Sequence, residues 1–368
     1  MQLLVLAYVF HYSYQYNLTY KRNIYTYATF CITKARENDS RMRVRSDLVS
    51  CASEDLQAYV FETRRSIESE LENLVSKISD IKLHPLLKYA LLSKGKRLRP
   101  ILTVLSSQSV GGDPKNVMQL ALSFELLHTA TLVHDDIIDQ DTFRREMKTL
   151  YSRWSTKSAI LAGDALIALA VNLAADFGPE ITKILSGVGL ELSDGEYIDS
   201  VLSLDDATEQ QYLKKTEEKS ASLFRGATYC GALVAKGKPP EVEALRKFGE
   251  YFGMAYQLND DLEDLLAKNQ ISRDLRNGNV TLPFLYLHKH GDNSARTLLR
   301  ENFGNRSAAL TVVEQIKDKM EKIGAFTYCR GKVAEYLEKS HSSLNVLKDS
   351  TFKNYLIQFS NYIGTFED

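Results

Sequence analysis

Residues 124–145 read Phe-Glu-Leu-Leu-His-Thr-Ala-Thr-Leu-Val-His-Asp-Asp-Ile-Ile-Asp-Gln-Asp-Thr-Phe-Arg-Arg. The stretch has no glycine or proline, and its apolar side chains recur at the spacing of a buried helix, at Phe124, Leu127, Ala130, Leu132 and Ile138. It therefore predicts one buried helix that carries its charged groups toward the C-terminal end.

Three carboxylates, those of Asp135, Asp136 and Asp139, crowd that end of the predicted helix. On a helix, residues i and i+4 share a face one turn apart, and residue i+1 flanks them. Two carboxylates about 5 Å apart repel by roughly 3 kcal/mol at an effective dielectric of 20, so the cluster requires protons or cations. An open cluster of oxygen ligands favours Mg²⁺, which keeps several waters and is usually completed by substrate phosphates.

A second copy of the pattern, Asp260, Asp261 and Asp264, follows an apolar run over residues 252–258. A single cluster of this kind is more simply explained by the solvated end of an acidic helix. Two clusters, 125 positions apart from 135 to 260 and each on an apolar helical pattern, are not. They predict two helices that face each other across a cleft and hold two or three divalent ions around a diphosphate.

The composition is that of an ordinary globular protein, with 368 residues, 44% hydrophobic residues and a formal net charge of −1. This balance gives no global basic field for nucleic acid. The seven prolines fall where loops are expected, and the spans between them carry helical periodicity, which predicts an all-α bundle. The four cysteines, at positions 31, 51, 230 and 329, show no CxxC spacing, which is typical of reduced thiols in a cytosolic-type compartment.

Residues 1–50 differ in composition from the rest and are interpreted as an N-terminal extension. Met1 to Phe10 is mostly apolar but too short to span a bilayer, so it predicts no transmembrane segment. Residues 1–36 hold seven tyrosines and no acidic residue, which fits either a mitochondrial or plastid transit peptide or a true start near Met42. A secretory signal is disfavoured because no basic residue precedes the apolar run. The expected location is the cytoplasm, or an organelle if the extension is a transit peptide.

Taken together, the motifs resemble those of the all-trans isoprenyl diphosphate synthases, the head-to-tail trans-prenyltransferases. Besides the two aspartate motifs, the matching pieces are Gly95-Lys96-Arg97-Leu98-Arg99-Pro100, Leu161-Ala162-Gly163-Asp164-Ala165-Leu166, Lys219-Ser220-Ala221-Ser222-Leu223-Phe224, Gly253-Met254-Ala255-Tyr256-Gln257, Asp274-Leu275 and Thr281-Leu282-Pro283. Their order and spacing match over residues 84–290. The resemblance implies the isoprenoid synthase fold, a single large helical bundle around a central cavity over residues 51–368. It also implies a homodimer with residues 54–79 at the dimer contact, although a solvated helix explains that charged pattern equally well.

The same resemblance implies which residues bind the ligands. The metal ligands would be Asp135, Asp136, Asp139, Asp260, Asp261 and Asp264, with two or three Mg²⁺ ions. Isopentenyl diphosphate would be bound by the backbone of Gly95 and by Lys96, Arg99, His128 and Arg145, and the allylic diphosphate by Arg144, Lys219, Ser220 and Gln257. Cations beside a glycine suit a diphosphate because the backbone can approach closely and arginine offers a bidentate fork. Without the resemblance, the basic run is ordinary surface, His128 a satisfied core residue and Lys219 an exposed helix lysine.

The chain departs from the family pattern at two places near these residues. After the paired arginines, residues 146–149 read Glu-Met-Lys-Thr where the family usually has Gly-x-Pro-Thr, which alters the loop. Asp199 stands where the family usually has Gln, and no role is assigned to it.

A third departure follows the second aspartate motif. The family often has lysines there that close over the diphosphate, and the nearest equivalents in this chain are the neutral Gln270 and Asn279. Two other cations, Lys268 and Arg273, lie nearby in the sequence. Contact with the diphosphate would then rely on different cations from those of the family.

Small residues upstream of the first aspartate motif predict a long product. In the family, a large aromatic four or five residues before the first aspartate blocks the growing chain, and here those positions are Thr131 and Ala130. The next bulky aromatic, Phe124, lies eleven residues before Asp135, which is about 16 Å along a helix that rises 1.5 Å per residue. The pocket is therefore expected to pass Ala130 and to give a product of about C20 or longer.

Two other functions share part of the pattern. A class I terpene cyclase has the same fold and first motif, but its second metal motif mixes Asn or Asp with Ser or Thr and Glu, and it has no use for the basic site at residues 95–100. A non-catalytic subunit of a heteromeric synthase would keep the fold and lose carboxylates, whereas both aspartate motifs are complete here. The sequence predicts a Mg²⁺-dependent prenyltransferase that condenses isopentenyl diphosphate with an allylic diphosphate.

Overall fold

Nearly all of the regular structure is helical in a computed structural model that describes residues 53–267 and 270–362. The first half contains the helices α1 Glu54–Lys77, α2 His84–Leu91, α3 Leu98–Ser109, α4 Met118–Ile138, α5 Leu150–Arg153, α6 Thr156–Ala175 and α7 Pro179–Val201. A 3₁₀ turn, Pro114–Asn116, precedes α4, and a short hairpin of strands β1 Phe143–Arg144 and β2 Met147–Lys148 follows it. The N-terminal extension predicted over residues 1–50 lies outside the described residues and stays a prediction.

The second half contains the helices α8 Glu209–Thr216, α9 Ser222–Val234, α10 Pro239–Leu266, α11 Arg273–Asn277, α12 Leu282–His290, α13 Asn293–Asn302, α14 Leu310–Lys322, α15 Ala325–Ser343 and α16 Thr351–Asn361. A π-helical turn, Glu217–Ala221, joins α8 to α9, and a 3₁₀ turn, Leu344–Val346, follows α15. This architecture confirms the predicted all-α fold. The prolines lie in the first turns of helices, where their fixed φ suits the helix and their missing N–H would have no partner.

Helix α4 lies at the centre of the larger of two hydrophobic clusters. It packs most extensively against α6 and also contacts α3, whereas α10 packs against α9 and α15. Phe124 and Ala130 have no exposed surface, as expected for a helix at the centre of the core. A second cluster, built mainly from α10, α12, α14 and α15, holds Met320 and Phe284. The first half of α10 therefore packs in the larger cluster, through residues such as Phe248 and Phe252, and its last turns pack in the second, through Leu258 and Leu262.

The central helix is shorter than the sequence pattern suggests. The stretch 124–145 is helical only to Ile138, and Gln140 then takes a left-handed conformation with φ of 54° that ends the helix. The backbone carbonyl of Asp139 accepts a hydrogen bond from Arg306 at 2.6 Å, so a distant residue satisfies one of the carbonyls that the ending helix leaves open.

The hairpin after α4 keeps a tight turn without the glycine that the family pattern has. Phe143 pairs with Lys148 and Arg144 with Met147, which leaves Arg145 and Glu146 as the two turn residues. Their φ angles are 49° and 63°, the positive values that a two-residue hairpin turn requires. Because a side chain disfavours this region, Glu146 holds the turn at an energetic cost that glycine would not carry.

Among the described residues one helix, α6, is long and apolar enough to cross a membrane, with a mean hydropathy of 1.8. It packs along α4, and part of its other side, including Ile160 and Leu161, is exposed.

Candidate active site

A cleft of about 1010 Å³ runs between the two aspartate motifs and down between α6 and α7. It is lined by most of the residues that the sequence singled out: Gly95, Lys96, Arg99, His128, Thr131, Asp135, Asp139, Arg144, Arg145, Lys219, Ser220, Gln257, Asp260, Asp261 and Asp264. Three others, Asp136, Ala130 and Phe124, do not line it. The structure thus brings both motifs and the basic segment to one cavity.

The periodicity of α4 explains why Ala130 lies outside the cleft. The side of α4 that carries His128, Thr131 and Asp135 lines the cavity, whereas Ala130 lies on the opposite side of the helix, with Val133, against the core. The expectation that the pocket passes Ala130 is therefore wrong in the structure. Thr131, one residue further along, forms that part of the wall instead.

In the first aspartate motif, the three carboxylates have different environments. Asp136 is buried and accepts a hydrogen bond from Nε of Arg144 at 2.7 Å, so it orients this arginine toward the cleft. Asp135 and Asp139 line the cleft, and within the described residues neither carboxylate takes part in a hydrogen bond or an ion pair. Burial raises the pKa of Asp135 to about 7, an effect that Lys219 opposes and Glu196 adds to.

The second motif on α10 divides in the same way. Asp261 accepts hydrogen bonds from the hydroxyl of Tyr212 at 2.6 Å and from Nε2 of Gln257 at 2.8 Å. Asp264 accepts from Oγ of Ser272 at 2.6 Å and from two backbone N–H groups at the start of α11. Asp260 has no such partner among the described residues, and burial, followed by the neighbouring Asp261, raises its pKa to about 6.

The donor set fits Mg²⁺. Among the described residues, the carboxylates of Asp135, Asp139 and Asp260 line the cleft without a hydrogen-bond or ion-pair partner, and burial raises the pKa values of Asp135 and Asp260. Among the described residues no group of three or more His, Cys, Asp or Glu side chains is close enough to hold a metal ion alone. That arrangement suits an ion that keeps its waters and takes further oxygen ligands from a substrate phosphate.

The basic segment before α3 uses its cations in two ways. Arg97, with a left-handed φ of 51°, turns inward and pairs with Glu125 at 2.7 Å, and it also donates to the carbonyl of Ser93 at 2.7 Å. It therefore fixes the loop. The neighbouring Lys96 and Arg99 line the cleft.

Arg99 and His128 form a buried pair. Nη1 of Arg99 lies 3.2 Å from Nε2 of His128, and its guanidinium stacks 4.3 Å from the ring centre of Phe224. Burial lowers the pKa of His128 well below its ordinary value, and Arg99, Arg145 and Arg144 lower it further. His128 is therefore neutral at physiological pH and accepts from Arg99.

Lys219 lies on the π-helical turn and contacts two carboxylates, Oδ2 of Asp199 and Oε2 of Glu196, each at 2.6 Å. Asp199 also pairs with Lys215 at 3.0 Å, and Lys215 donates to the carbonyl of Val280 at 2.8 Å. Burial would raise the pKa of Asp199, but Lys215 and Lys219 outweigh it and hold that pKa below its usual range.

The sequence motifs alone give Asp199 no role and do not single out Lys215 or Glu196. The sequence does contain a signal for this pairing. Glu196 and Asp199 lie about one helical turn apart on α7, and Lys215 and Lys219 lie about one turn apart on the segment that faces it.

Two glycines allow the π-helical turn to lie where it does. A Cβ on Gly195 of α7 would come within 2.4 Å of the backbone nitrogen of Lys219. A Cβ on Gly253 of α10 would come within 2.6 Å of Cα of Ala221. The turn is thus held between two helices at backbone contact. Ser220 on the same turn donates to Oε1 of Gln257 at 2.8 Å, which links the turn to the second aspartate motif.

The polyprenyl synthetase family model matches residues 81–320, so the chain belongs to this family of all-trans isoprenyl diphosphate synthases. It is 32% identical over 310 residues to a geranylgeranyl pyrophosphate synthase of Geoglobus acetivorans, covering 81% of this chain and 95% of that protein. It is 34% identical over 282 residues to an all-trans-nonaprenyl-diphosphate synthase of Rhodobacter capsulatus, covering 74% and 86%.

Solved structures agree with the sequence relatives. A decaprenyl diphosphate synthase of Rhodobacter capsulatus superimposes with a TM-score of 0.77 at 26% identity, over 84% of this chain and 97% of that one. The geranylgeranyl pyrophosphate synthetase of Geoglobus acetivorans gives a TM-score of 0.76 at 28% identity, over 83% and 98%. The predicted family, the isoprenoid synthase fold and the enzyme class, a transferase of prenyl groups, are confirmed.

Proposed function

We propose that this prenyltransferase condenses isopentenyl diphosphate head-to-tail with an allylic diphosphate, in a Mg²⁺-dependent reaction, to give an all-trans polyprenyl diphosphate of about C20 or longer. The observation that carries the proposal is the presence, in one cleft, of three carboxylates that have no partner among the described residues, and of a separate basic set. The carboxylates are those of Asp135, Asp139 and Asp260, and the basic set is built around Arg99 and His128.

The residues divide into two binding sites. The Mg²⁺ ions would be held by Asp135, Asp139 and Asp260. The other carboxylates of the motifs accept hydrogen bonds that position nearby residues: Asp136 from Arg144, Asp261 from Gln257 and Asp264 from Ser272. When bound, Mg²⁺ would neutralise the allylic diphosphate and make it a leaving group. On the other side, Lys96, Arg99, Arg145 and the backbone at Gly95 supply positive charge and donors for isopentenyl diphosphate.

The protein's own part in the chemistry is to orient charge. Arg144, fixed by Asp136, and Lys219, held by Asp199 and Glu196, lie where they stabilise the diphosphate as its charge grows on departure. The double bond of the isopentenyl substrate then attacks the allylic cation, and a proton is lost to the departing diphosphate. No protein nucleophile is required, so these groups act by positioning the two substrates and by stabilising charge.

The apolar end of the cleft supports a product of C20 or longer. Its walls between α6 and α7 include the small residues Ala170, Ser186 and Gly189 and the larger Ile167, Leu185 and Leu190, and α4 contributes Leu127, Thr131 and Leu132. None of these is aromatic, so the space below the first aspartate motif continues between the two helices. Relatives named as geranylgeranyl, octaprenyl and nonaprenyl diphosphate synthases fall in the same range of lengths.

The exposed faces of α6 and α7, rather than the residues 54–79 expected from the sequence, support a homodimer. Leu161 is 54% exposed, and Leu190 and Tyr197 on α7 are 73% and 66% exposed. Apolar side chains at this density mark an interface with another protein surface. Ile167 and Leu190 also line the cleft, so a second copy seated here would cover its apolar end. A Leu190→Glu variant is expected to be a monomer by light scattering, whereas an unchanged dimer would place the interface elsewhere.

The reaction is tested by measuring Mg²⁺-dependent incorporation of labelled isopentenyl diphosphate by the purified chain. Dimethylallyl, geranyl, farnesyl and geranylgeranyl diphosphates serve as primers, and chromatography gives the product length. Incorporation that requires Mg²⁺ and ends at C20 or longer is expected. No incorporation with any primer, from folded protein, would instead favour a non-catalytic subunit of a heteromeric synthase.

A further inference from the structure

Arg273 is the first residue of helix α11, and its positive charge lies near carboxylates of both aspartate motifs. Its backbone N–H donates to Oδ1 of Asp264 at 3.1 Å, which ties its main chain to the second motif. Its side chain lines the cleft. The carboxylates that act on it come from both motifs and their flanks: Asp274, Asp141, Asp264 and Asp139.

The guanidinium of Arg273 lies farther from its acidic partner than the charged groups of Arg97, Arg144 and Lys219 lie from theirs. Arg97, Arg144 and Lys219 each have a carboxylate within 2.7 Å. Arg273 has one ion pair, to Asp141 at 3.7 Å, its side chain is 41% exposed, and its Nε is buried without a hydrogen-bond partner among the described residues. A guanidinium with unused donors facing a cleft is suited to bind an anion bidentately.

The two positions at which the sequence replaces the lysines of its family do not supply this charge. Asn279 lines the cleft but donates to Asp274 at 3.3 Å, and Gln270 is exposed and does not line the cleft. On the α11 side, the cation that remains available among the described cleft residues is Arg273.

We propose that Arg273 binds the diphosphate of the allylic substrate from the side of the second aspartate motif. This role deepens the proposed function and rests on it. The allylic diphosphate is the favoured ligand, because the carboxylates around Arg273 belong to the two aspartate motifs and their flanks, whereas the isopentenyl set is anchored by Arg99 and His128 on α3 and α4. Arg273 acts as a binding residue whose guanidinium donates hydrogen bonds to the diphosphate, which the metal-binding carboxylates cannot do.

The test compares Arg273→Gln and Arg273→Lys with Arg276→Gln, a matched control on the same short helix whose side chain does not line the cleft. Two quantities are measured for each variant: the KM of each substrate, and the affinity for inorganic pyrophosphate with Mg²⁺ by calorimetry. Arg273→Gln is expected to weaken pyrophosphate binding and to raise the KM of the allylic diphosphate by about tenfold each, the equivalent of about 1.4 kcal/mol. The KM of isopentenyl diphosphate should stay within about twofold.

Arg273→Lys should recover part of the loss, because it keeps the charge without the fork, and Arg276→Gln should resemble the wild type. Unchanged pyrophosphate affinity in Arg273→Gln, or an equal loss for both substrates, would overturn the proposal. If Arg273→Gln does not fold, Arg273→Lys decides, because a two- to fivefold loss confined to the allylic side is expected and no loss overturns it. A wild-type chain that binds pyrophosphate but incorporates no isopentenyl diphosphate would refute the proposed function and leave the role of Arg273 in binding intact.

Discussion

Nη1 of Arg145 lies 2.7 Å from the point that a Cβ on Gly95 would occupy, so the absence of a side chain at Gly95 sets where this guanidinium can lie. The same arginine donates to the backbone carbonyl of Lys94. The two segments that supply the proposed isopentenyl site are the loop before α3 and the hairpin after α4. They are in close contact at Gly95, where a side chain would collide with Arg145.

Gly95→Ala is expected to displace Arg145 with little effect on the fold, because the far end of a flexible side chain can move. The KM of isopentenyl diphosphate should rise about tenfold, or about 1.4 kcal/mol, while that of the allylic substrate changes little. Steady-state kinetics with each substrate varied in turn measures this. Gly187→Ala is the matched control, since a Cβ there meets no atom within 4 Å. An unchanged KM in Gly95→Ala would show that the position of Arg145 does not matter for binding.

Glu146→Gly should stabilise the protein. Glu146 is exposed and has a φ of 63°, a conformation that costs a residue with a Cβ about 1 kcal/mol and costs glycine little. Part of the gain is lost to the greater freedom of glycine in the unfolded chain, so a rise in the free energy of unfolding of about 0.5 kcal/mol is expected. Urea denaturation measures it. Lys148→Gly, on a strand of the same hairpin, should destabilise, and a loss of stability in both variants would contradict the turn geometry.

Asp135→Asn should stabilise the ligand-free protein at alkaline pH while abolishing its activity. The folded pKa of Asp135, about 7, is above its ordinary value, so the stability linked to this group is present at low pH and is lost as the pH rises through 7. At pH 8 the variant lacks the uncompensated charge, and its Tm should exceed that of the wild type by a few degrees, or about 1 kcal/mol. At pH 4, close to the ordinary pKa of the group, the carboxyl is largely protonated in the folded protein and about half protonated in the unfolded chain, so the two should differ little.

Calorimetry without Mg²⁺ at both values of pH tests this difference. The exposed Asp318→Asn serves as the control and should shift the Tm at neither pH. A lower Tm for Asp135→Asn at pH 8 would mean that the Asp135 carboxylate is compensated in the free protein. The expected opposition of stability and activity is typical of residues that are kept charged for a ligand.

Thr131→Phe should shorten the product, and Ala130→Phe should not. Thr131 is half-buried and lines the cleft, so a phenyl ring there would fill the space below the first aspartate motif. Ala130 is fully buried on the core side of α4, where a larger side chain costs about 1–3 kcal/mol through overpacking. Chromatography of the products and the Tm of each variant separate the two effects. A shorter product from Ala130→Phe alone would place the growing chain on the other side of the helix.

Much of the fold and of the site follows from the sequence, because it depends on spacing within single helices. The two Asp-Asp-x-x-Asp motifs and their apolar flanks predicted the helices that carry the carboxylates. The rest depends on rotation and on partners distant in sequence. Ala130 and Thr131 differ by one residue, about 100° around a helix, and the sequence alone does not fix that rotation. Asp199 and Lys219 meet only through the approach of α7 to the π-helical turn, which is a property of the packed protein.

The π-helical turn, Glu217–Ala221, also sets the phase between α8 and α9. A π-helical turn accommodates one more residue than an α-helical turn of the same height, so the side chains before and after it follow different angular frames. Lys215 lies before this turn and Lys219 within it, and both pair with the carboxylate of Asp199. The loss of one residue from this turn would convert it to α-helical geometry, and because the turn already holds one extra residue, α8 and α9 would keep their present orientations. A one-residue deletion in this segment would therefore act locally, by moving Lys219 relative to Asp199, and would leave the two flanking helices in place.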